Sequence, residues 1–344
     1  MTEEKLLQHL NQNPFVLAPM AAITDCAFRS FMKSMGASIV VTELVSATGL
    51  KFSSEKTLKL MRFNEDQRPV GIQLFGEDLE HLSHAAKVCE DLGADFVDLN
   101  FGCPVPKVVK RGAGSALLKD LDQLRKVLQT VKGSTRLPVT IKIRTGWDQQ
   151  TRNAEQVCQI AYEEGITWVA IHGRTRAQGY NGKADWDYIR FVKSESKVPV
   201  LGNGDLIFPP QIIGTLKSSQ CDGVMIGRGC LKNPWIFKEC MSLWNSQSGN
   251  ADFREARDHL NVLHQLYNSL EKDLDDERII GIQLKKFSSW FSSGYPGSSG
   301  FRKKIFEIKN VEDILSCAKD YFEEIKNMPQ PDTSSEAFLM GGHG

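Results

Sequence analysis

The 344-residue sequence lacks several features that would place it in a specialised class. No apolar run reaches the roughly 18 residues that a membrane-spanning helix requires. The N-terminal stretch MTEEKLLQHLNQNP has no apolar core of the kind found in secretory signals. The eight cysteines include no Cys-x-x-Cys pair and no histidine partners at zinc-site spacing, so no metal is predicted. These absences favour a cytoplasmic protein that does not bind membranes.

Net charge is also absent, because 42 Lys and Arg residues balance 42 Asp and Glu residues. A polyanionic partner would therefore have to be bound by a local basic patch. The apolar content of 41% and the charged content of 24% are typical of soluble globular proteins and exclude the disordered and fibrous classes. Most cysteines are expected to be buried apolar side chains, above all Cys89, Cys158 and Cys317, which lie in helical patterns.

Eight short β-rich runs alternate with helical patterns along the first two thirds of the sequence. Nearly continuous apolarity is typical of parallel strands that are covered on both faces. The eight alternations predict an α/β fold, a (β/α)8 TIM barrel. The runs are FVLAPM (15–20), SIVVTEL (38–44), VGIQLFG (70–76), FVDLNFG (96–102), VTIKIR (139–144), WVAIHGR (168–174), VPVLGNGD (198–205) and DGVMIGRG (222–229).

The character of the sequence changes after residue 245. A polar bridge, NSQSGNADF, is followed by four helical patterns that extend to Met328. We predict a catalytic barrel over residues 1–245, a small all-helical domain over 246–328 and a mobile tail over 329–344, which is rich in Pro, Ser and Gly.

Functional groups of such a barrel lie at the C-terminal ends of its strands. Lys142 interrupts an apolar run, and a cation facing the interior is costly unless it meets an anion, an electron-rich ring or a neighbouring carboxylate. The Gln73 amide can both donate and accept, which suits the imide edge of a flavin or a pyrimidine. His172 stands beside Gly173 and Arg174 at the rim, where it either contacts a ligand or bonds to the backbone.

The last two runs end in the glycine-rich turns GNGD (202–205) and GRG (227–229). Their backbone N–H groups can converge on a phosphate at the usual barrel position. Neither turn has a third glycine at the spacing of a dinucleotide-binding fold. The pattern predicts a flavin mononucleotide pocket, with ring contacts from early and middle strands and phosphate contacts from late strands.

The turn NFGCP places Cys103 directly after the fourth run. Three roles are open for this thiol: a small apolar filler, a metal ligand or a proton donor. A free thiol has a pKa of about 8.5, so at neutral pH Cys103 is mostly protonated and able to donate.

Seven motifs together resemble the tRNA-dihydrouridine synthase family over about residues 14–235. In order they are APMAAITDCAFR, GIQLFG, DLNFGCPVPKVVKRGAGSALL, IKIRTGWD, IHGRTRAQGYNGKADW, GNGD and MIGRG. The segment QLKKFSSWFSSGYPGSSGFRKKI resembles the helical module of the bacterial B-type enzymes. It departs from that subgroup at Phe287, where a basic pair tends to be followed by His.

The resemblance implies a flavoenzyme that uses flavin mononucleotide (FMN) and NADPH. Hydride would pass from the flavin to C6 of a uridine in the D-loop of tRNA, and Cys103 would protonate C5 as the catalytic acid. Asn100 would position the uracil. The residues implied around the cofactor are Pro19, Met20, Gln73, Lys142 and His172 at the ring, and Asn203, Gly204, Asp205, Gly227 and Arg228 at the ribityl chain and phosphate.

Basic residues at two places predict a surface that binds tRNA. Between residues 285 and 309 there are six basic residues against a single acidic one, with Trp290, Phe291 and Tyr295 between them. Such a segment can bind phosphates and stack on bases, or it can be a solvated helix face with core aromatics. The residues predicted to contact tRNA are Lys285, Lys286, Arg302 and Lys303, together with a second strip of Lys107, Lys110, Arg111, Arg174 and Arg176.

Two other functions stay open at this level. One is an FMN-dependent barrel that acts on a free pyrimidine, which needs no helical domain. The other is a non-catalytic RNA-binding barrel, against which the presence of Lys142, Cys103 and GNGD argues. A monomer is expected, because the sequence shows no exposed apolar seam.

Overall fold

Nine parallel strands form one sheet in the first two thirds of the described chain. The computed structural model describes residues 1–52, 54–245, 258–329 and 331. The strands are β1 (Phe15–Leu17), β2 (Val40–Val41), β3 (Val45–Ser46), β4 (Val70–Phe75), β5 (Phe96–Phe101), β6 (Val139–Arg144), β7 (Val169–His172), β8 (Val200–Asn203) and β9 (Gly223–Ile226). Their order is β1-β9-β8-β7-β6-β5-β4-β2, and β3 pairs with β4.

The sheet closes between β1 and the segment before β2. The Leu17 N–H donates to the Ile39 carbonyl over 3.0 Å, and the Ser38 N–H donates to the Phe15 carbonyl over 3.0 Å. Each of the eight predicted runs contains a strand, so the predicted (β/α)8 barrel is confirmed. The short strand β3 was not predicted.

Helices cover the outside of the barrel. Aspartate side chains begin several of them by accepting a hydrogen bond from an N–H of the first turn, as Asp78 does from His81 and Asp185 from Tyr188. The helices are α1 (Glu3–Gln12), α2 (Cys26–Ser34), α3 (Ala47–Lys51), α4 (Glu55–Leu60), α5 (Leu79–Asp91), α6 (Pro106–Val109), α7 (Leu121–Ser134), α8 (Ala154–Glu163), α9 (Trp186–Glu195), α10 (Pro209–Ser219), α11 (Gly229–Lys232) and α12 (Ile236–Asn245), with 3-10 turns at Glu65–Gln67 and Gly114–Lys119.

An apolar cluster fills the barrel interior toward the N-terminal ends of the strands. The Phe96 and Trp168 rings meet there edge to face at 5.4 Å. Gly71 makes room for Phe96, since a Cβ at position 71 would lie 2.2 Å from that ring. Leu6 and Leu10 of α1 complete the cluster, so this helix covers the bottom of the barrel. This role of the N-terminal segment was not predicted from the sequence.

Four further helices follow the barrel within residues 258–329, as predicted. They are α13 (Asp258–Asp273), α14 (Glu277–Phe291), α15 (Ser298–Glu307) and α16 (Val311–Glu324). Their core is aromatic, because the His259 ring lies 5.4 Å from Phe291, 5.8 Å from Tyr295 and 5.6 Å from Phe322. The proposed boundary after residue 245 and the linker lie at residues outside the described ranges, and so does the tail apart from residues 329 and 331.

Helices α13 and α14 pack against α2 of the barrel. Phe28 and Phe287 stack with ring centroids 5.2 Å apart. Two side-chain hydrogen bonds accompany this contact, from Gln283 to Asp25 over 3.3 Å and from Asn64 to Asp273 over 2.8 Å. The four helices therefore sit close to the loop that follows β1, at the mouth of the barrel.

Candidate active site

Polar side chains line the C-terminal mouth of the barrel, above the apolar floor. Register pairs place them on neighbouring strands, since Gln73 pairs with Asp98, Asn100 with Lys142, and His172 with Asn203. Side chains of adjacent residues in register point to the same face of a sheet. The five predicted residues that the structure brings together at the mouth are Gln73, Asn100, Lys142, His172 and Asn203.

Three partners hold the turn that bears Cys103. Asn100 Oδ1 accepts from the Cys103 N–H over 2.7 Å and from the Gly102 N–H over 3.1 Å. The Cys103 carbonyl accepts from Ser115 Oγ over 2.8 Å, and the Gly102 carbonyl accepts from Arg144 Nε over 2.8 Å. Neither Ser115 nor Arg144 was predicted to hold this turn, because their partners are backbone atoms that no motif spacing reveals.

The thiol of Cys103 is half-buried at this mouth. Burial raises its pKa above the ordinary value, and the nearby Arg144 and Lys142 oppose the shift only partly. Cys103 is therefore a protonated thiol at neutral pH. The prediction that Cys89, Cys158 and Cys317 are buried is confirmed.

Lys142 bonds to an amide rather than to a carboxylate. Its Nζ donates to Asn203 Oδ1 over 3.2 Å, and Asn203 Nδ2 in turn donates to the Met225 carbonyl over 2.6 Å. Burial lowers the pKa of Lys142 to about 8, and Arg144 adds to the shift. The ammonium group thus lies in the interior without an ion-pair partner among the described residues, which is the environment of a cation that receives an anionic or electron-rich ligand.

His172 is neutral, and the position of its proton follows from its neighbour. Burial, with Arg144 and Lys142 next in effect, holds the pKa of His172 well below its ordinary value. Arg174 Nη1 lies 3.3 Å from His172 Nε2, and a guanidinium can only donate. Nε2 is therefore the acceptor, and Nδ1 carries the proton.

The turn after β8 is held by charge. Asp205 has a φ of 53° and accepts from Arg174 Nη2 over 2.9 Å and from the Ala184 N–H over 2.7 Å. Arg228 lies 3.9 Å from the same carboxylate. Gly204 allows the close approach of Ala184, because a Cβ at Gly204 would lie 2.6 Å from the Ala184 Cβ.

The position of Arg174 does not fit its predicted role in contacting tRNA. The residue is only 3% exposed, and its guanidinium also donates to the carbonyls of Asn181 and Gly182. It cannot steer RNA from such a position. Arg174 instead stabilises the wall between β7 and β8.

Tyr180 is an exposed aromatic side chain at this wall that the sequence analysis did not single out. The guanidinium of Arg228 lies 5.0 Å from the centre of its ring, and that of Arg144 lies 5.7 Å away. The His172 ring is 6.4 Å distant. Two arginines and a neutral histidine thus surround a ring that is 46% exposed.

The loop after β1 brings Pro19 and Met20, both half-buried, to the mouth beside the end of β9. Ala22 in this loop has a φ of 59°, and its N–H donates to Glu43 Oε1. The Ala22 carbonyl accepts from Lys286 Nζ over 3.1 Å. Lys286 therefore joins α14 to this loop, although it was predicted to contact tRNA.

The other basic residues lie mostly on the surface. Arg302 and Lys285 are half-buried, and Arg176 stacks its guanidinium 4.4 Å from the centre of the Trp147 ring. Of the two alternatives for the aromatic residues of this segment, core packing holds for Phe291 and Tyr295, which are buried in the helical core. The exposed members of the predicted strips are Lys107, Lys110, Arg111 and Lys303.

Among the described residues, no group of three or more His, Cys, Asp or Glu side chains is arranged to hold a metal ion. Within the same residues no helix combines the length and apolarity needed to cross a membrane.

Comparison with solved structures defines the fold class. The chain resembles 6-hydroxypseudooxynicotine amine oxidase from Pseudomonas geniculata, with a TM-score of 0.53 and 14% identity over 67% of this chain and 48% of the other. Histamine dehydrogenase from Rhizobium gives a TM-score of 0.50 and 13% identity over 67% of this chain and 46% of the other. The chain spans about half the length of these structures, and the likeness is one of fold.

Sequence comparison defines the family. The model of the dihydrouridine synthase family matches residues 16–326, and the chain belongs to that family. It is 35% identical over 320 residues to tRNA-dihydrouridine synthase B of Pseudomonas syringae pv. tomato, covering 91% of this chain and 92% of that one. It is 36% identical over 314 residues to a probable tRNA-dihydrouridine synthase of Rickettsia bellii, covering 91% and 95%. The family resemblance found in the sequence, including that to the B type, is confirmed.

Proposed function

We propose that this protein is an FMN-dependent tRNA-dihydrouridine synthase that reduces the C5=C6 bond of a uridine in the D-arm of tRNA. The observation on which the proposal rests is the pairing of a protonated thiol, Cys103, with the interior cation Lys142 at one barrel mouth. Family membership and the names of the relatives support the same activity.

The charges at the mouth fit a flavin phosphate and an electron-accepting ring. Four cations surround the His172 ring, namely Arg144, Lys142, Arg174 and Arg228. Asp205 pairs with Arg174 and lies near Arg228, so positive charge is left over for an anion. Asn203, Gly204, Asp205, Gly227 and Arg228 would hold the phosphate and ribityl chain, while Pro19, Met20, Gln73, Lys142 and His172 would contact the ring.

When bound, the reduced flavin supplies the hydride for C6 of the uridine, with NADPH as the source of the electrons. Lys142 would stabilise negative charge at the ring edge, because its ammonium group lies in the interior and has Asn203 as its one hydrogen-bond partner among the described residues. The Nδ1–H of neutral His172 is a second donor on the next strand.

Cys103 donates the proton to C5. Its raised pKa keeps the thiol protonated, and the Asn100 side chain fixes the backbone from which it projects. Asn100 itself positions the uracil. A nucleophilic role is disfavoured, since burial opposes formation of the thiolate.

Two exposed basic surfaces would bind the tRNA backbone. Lys107, Lys110 and Arg111 lie on and just after α6, which follows the Cys103 turn directly. Lys303 is exposed on α15, with Arg302 and Lys285 half-buried nearby in the helical domain. Arg176 adds a cation at the mouth. Phosphate contacts of this kind supply affinity and orientation rather than base identity.

The proposal extends to the assembly and the location. We propose a monomer, since the site is complete within one chain, and a cytoplasmic location, since tRNA is the substrate. Light scattering of the purified protein tests the first point, and cell fractionation tests the second.

Absorbance and product analysis test the proposed function. Purified protein should show a flavin spectrum and should convert uridine to dihydrouridine in unmodified tRNA with NADPH, as read by mass spectrometry of nucleosides. Activity on free uracil or uridine instead would indicate a pyrimidine reductase. Absence of flavin with retained tRNA binding would indicate a non-catalytic RNA-binding protein.

A further inference from the structure

Asp98 is a fully buried carboxylate in the middle of the barrel to which no role has been given so far. It is 0% exposed. Its Oδ2 accepts from Gln73 Nε2 over 2.6 Å, and its Oδ1 accepts from Thr140 Oγ1 over 2.6 Å. A buried carboxylate is costly even when hydrogen-bonded, and an apolar residue would fill the same space at less cost. Its presence one layer below the mouth therefore calls for an explanation.

Hydrogen bonds connect Asp98 to the catalytic turn through two amide side chains. Gln73 donates to Asp98, and Gln73 Oε1 accepts from Asn100 Nδ2 over 3.0 Å. Asn100 Oδ1 accepts from the N–H groups of Gly102 and Cys103. We call this series, from Asp98 through Gln73 and Asn100 to the two N–H groups, the amide network.

The backbone end of the amide network fixes its direction. At the Asp98 end, burial raises the pKa of the carboxyl, and Oδ2 accepts from the NH2 group of Gln73. At the other end the backbone N–H groups of Gly102 and Cys103 can only donate, so Asn100 must turn its oxygen toward them. The two amides between these ends have no freedom to flip, because a flip of either would place two donors or two acceptors face to face.

The fixed direction determines what Asn100 offers to a ligand. Its oxygen is fully used by two N–H groups, and one N–H is used by Gln73. The second N–H of its amide has no partner among the residues that the structure describes. Asn100 therefore presents a donor and no acceptor at the mouth, directly beside Lys142 in register. Such a group binds a ring carbonyl oxygen.

We propose that Asp98 is a positioning residue: through Gln73 it holds Asn100 as a donor toward the pyrimidine carbonyl and holds the backbone of Cys103 in place. The inference rests on the proposed function for its substrate. An ion pair with Lys142 is not the reason for the carboxylate, since no salt bridge within 4.0 Å joins these two described side chains and Lys142 bonds to Asn203.

Three variants separate positioning from simple stability. Asp98→Leu removes both acceptors at similar size and leaves Gln73 without its partner. Asp98→Asn keeps an acceptor for Gln73 and can donate to Thr140. Thr140→Val is the matched control, because it removes the other hydrogen bond to Asp98 and leaves the amide network intact.

The first measurement is residue-resolved amide hydrogen exchange at Gly102 and Cys103 in flavin-free protein. Loss of a buried hydrogen-bond partner costs about 1–3 kcal/mol, so exchange at these two amides should rise about 10-fold or more in Asp98→Leu. Asp98→Asn and Thr140→Val should stay close to wild type there. Equal exchange in Asp98→Leu and Thr140→Val, or equal exchange in Asp98→Leu and Asp98→Asn, would overturn the proposal.

The second measurement is turnover of tRNA. A misplaced catalytic group costs on the order of 10²-fold, so kcat/KM for tRNA should fall about 10- to 100-fold in Asp98→Leu and be restored by Asp98→Asn. If Asp98→Asn recovers less than half of the loss in log(kcat/KM) that Asp98→Leu shows, the inference is contradicted. A wild-type protein that makes no dihydrouridine would refute the proposed function, and the exchange experiment would still decide on the network.

A further variant covers the case in which Asp98→Leu does not fold. Gln73→Leu interrupts the amide network one residue closer to the mouth and leaves Thr140 to stabilise Asp98. It should raise exchange at the same two amides, whereas unchanged exchange would show that Asn100 is held without the network.

Discussion

Lys142 donates a hydrogen bond to Asn203 across the barrel mouth, from β6 to β8, with Nζ 3.2 Å from Oδ1. Strand β7 lies between these two strands, and it contributes His172 in register with Asn203. The contact shows that the Lys142 side chain extends over the neighbouring strand within the mouth. A flavin ring placed there would meet the ammonium group at its edge.

Replacement of Lys142 by methionine should weaken flavin retention or slow flavin reduction. The reason is that a buried cation stabilises the negative charge that develops on the ring, and Met keeps the length of the side chain without the charge. Flavin content per protein and the rate of NADPH-driven bleaching measure the two effects. Lys142→Arg is the control, and unchanged values in Lys142→Met would return Lys142 to a purely structural role.

Stability of the flavin-free protein should depend on pH through Lys142. Its pKa is lowered from 10.5 to about 8 in the folded state, so between these values the unfolded chain binds more protons and the free energy of unfolding rises with pH. Lys142→Met should abolish that rise, which amounts to about 1–3 kcal/mol.

Denaturant titrations at pH 7 to 10.5 measure the free energy of unfolding with Lys142 and with Lys142→Met. They belong in a Cys103→Ala background, because the Cys103 thiol lies near Lys142 and its charge would act on the pKa of Lys142. Arg144 and Asp98 also face Lys142 and are unchanged in both proteins. If the free energies of unfolding of the two proteins differ by the same amount at every pH in this range, Lys142 has an ordinary pKa.

Cys103→Ala should leave flavin binding and NADPH oxidation intact while it reduces dihydrouridine formation. Loss of a general acid costs about 10²- to 10⁴-fold in rate. Cys89→Ala serves as the control for removal of a buried thiol. Dihydrouridine in tRNA is quantified by mass spectrometry, and wild-type turnover by Cys103→Ala would disprove the assignment.

Charge reversal on the helical domain should weaken tRNA binding without any effect on the flavin. Each lost phosphate contact flattens the dependence of log affinity on log salt by roughly 0.7 to 0.9. Lys286 is left out of the set, because it bonds to Ala22 of the barrel. The variant combines Lys285→Glu, Arg302→Glu and Lys303→Glu.

Affinity at several salt concentrations tests this prediction. A matched control reverses three exposed lysines on the outer helices α5, α7 and α10, namely Lys87, Lys126 and Lys217. If both variants match wild type in affinity and salt slope, the RNA-binding surface lies instead around Lys107, Lys110, Arg111 and Arg176.

The barrel was predictable because its strands are buried on both faces and therefore nearly apolar throughout. Polar residues such as Gln73, Lys142 and His172 stood out against that background, and the structure brings them to one mouth. The role of α1 was not predictable in this way. Leu6 and Leu10 become a barrel floor only when the closed sheet presents Val16 and Leu201 to them.

Charged residues were harder to place than polar residues in strands. Arg174 and Lys286 were both predicted to meet RNA, yet one is buried against Asp205 and the other bonds to the Ala22 carbonyl. Sequence spacing gives the position of a cation along an element but not the backbone oxygens around it. Tyr180 lies in a loop, and the sequence likewise does not show that Arg144 and Arg228 surround its ring.

The central claim is that electrons pass from the flavin to a tRNA uridine at the Cys103 mouth. Its most direct test is a single turnover, in which pre-reduced protein is mixed with unmodified tRNA without oxygen and NADPH. Flavin reoxidation and dihydrouridine are measured in the same samples. We expect one dihydrouridine per flavin reoxidised, with tRNA and not with free uridine. Reoxidation without dihydrouridine, or no reoxidation by tRNA, would contradict the account.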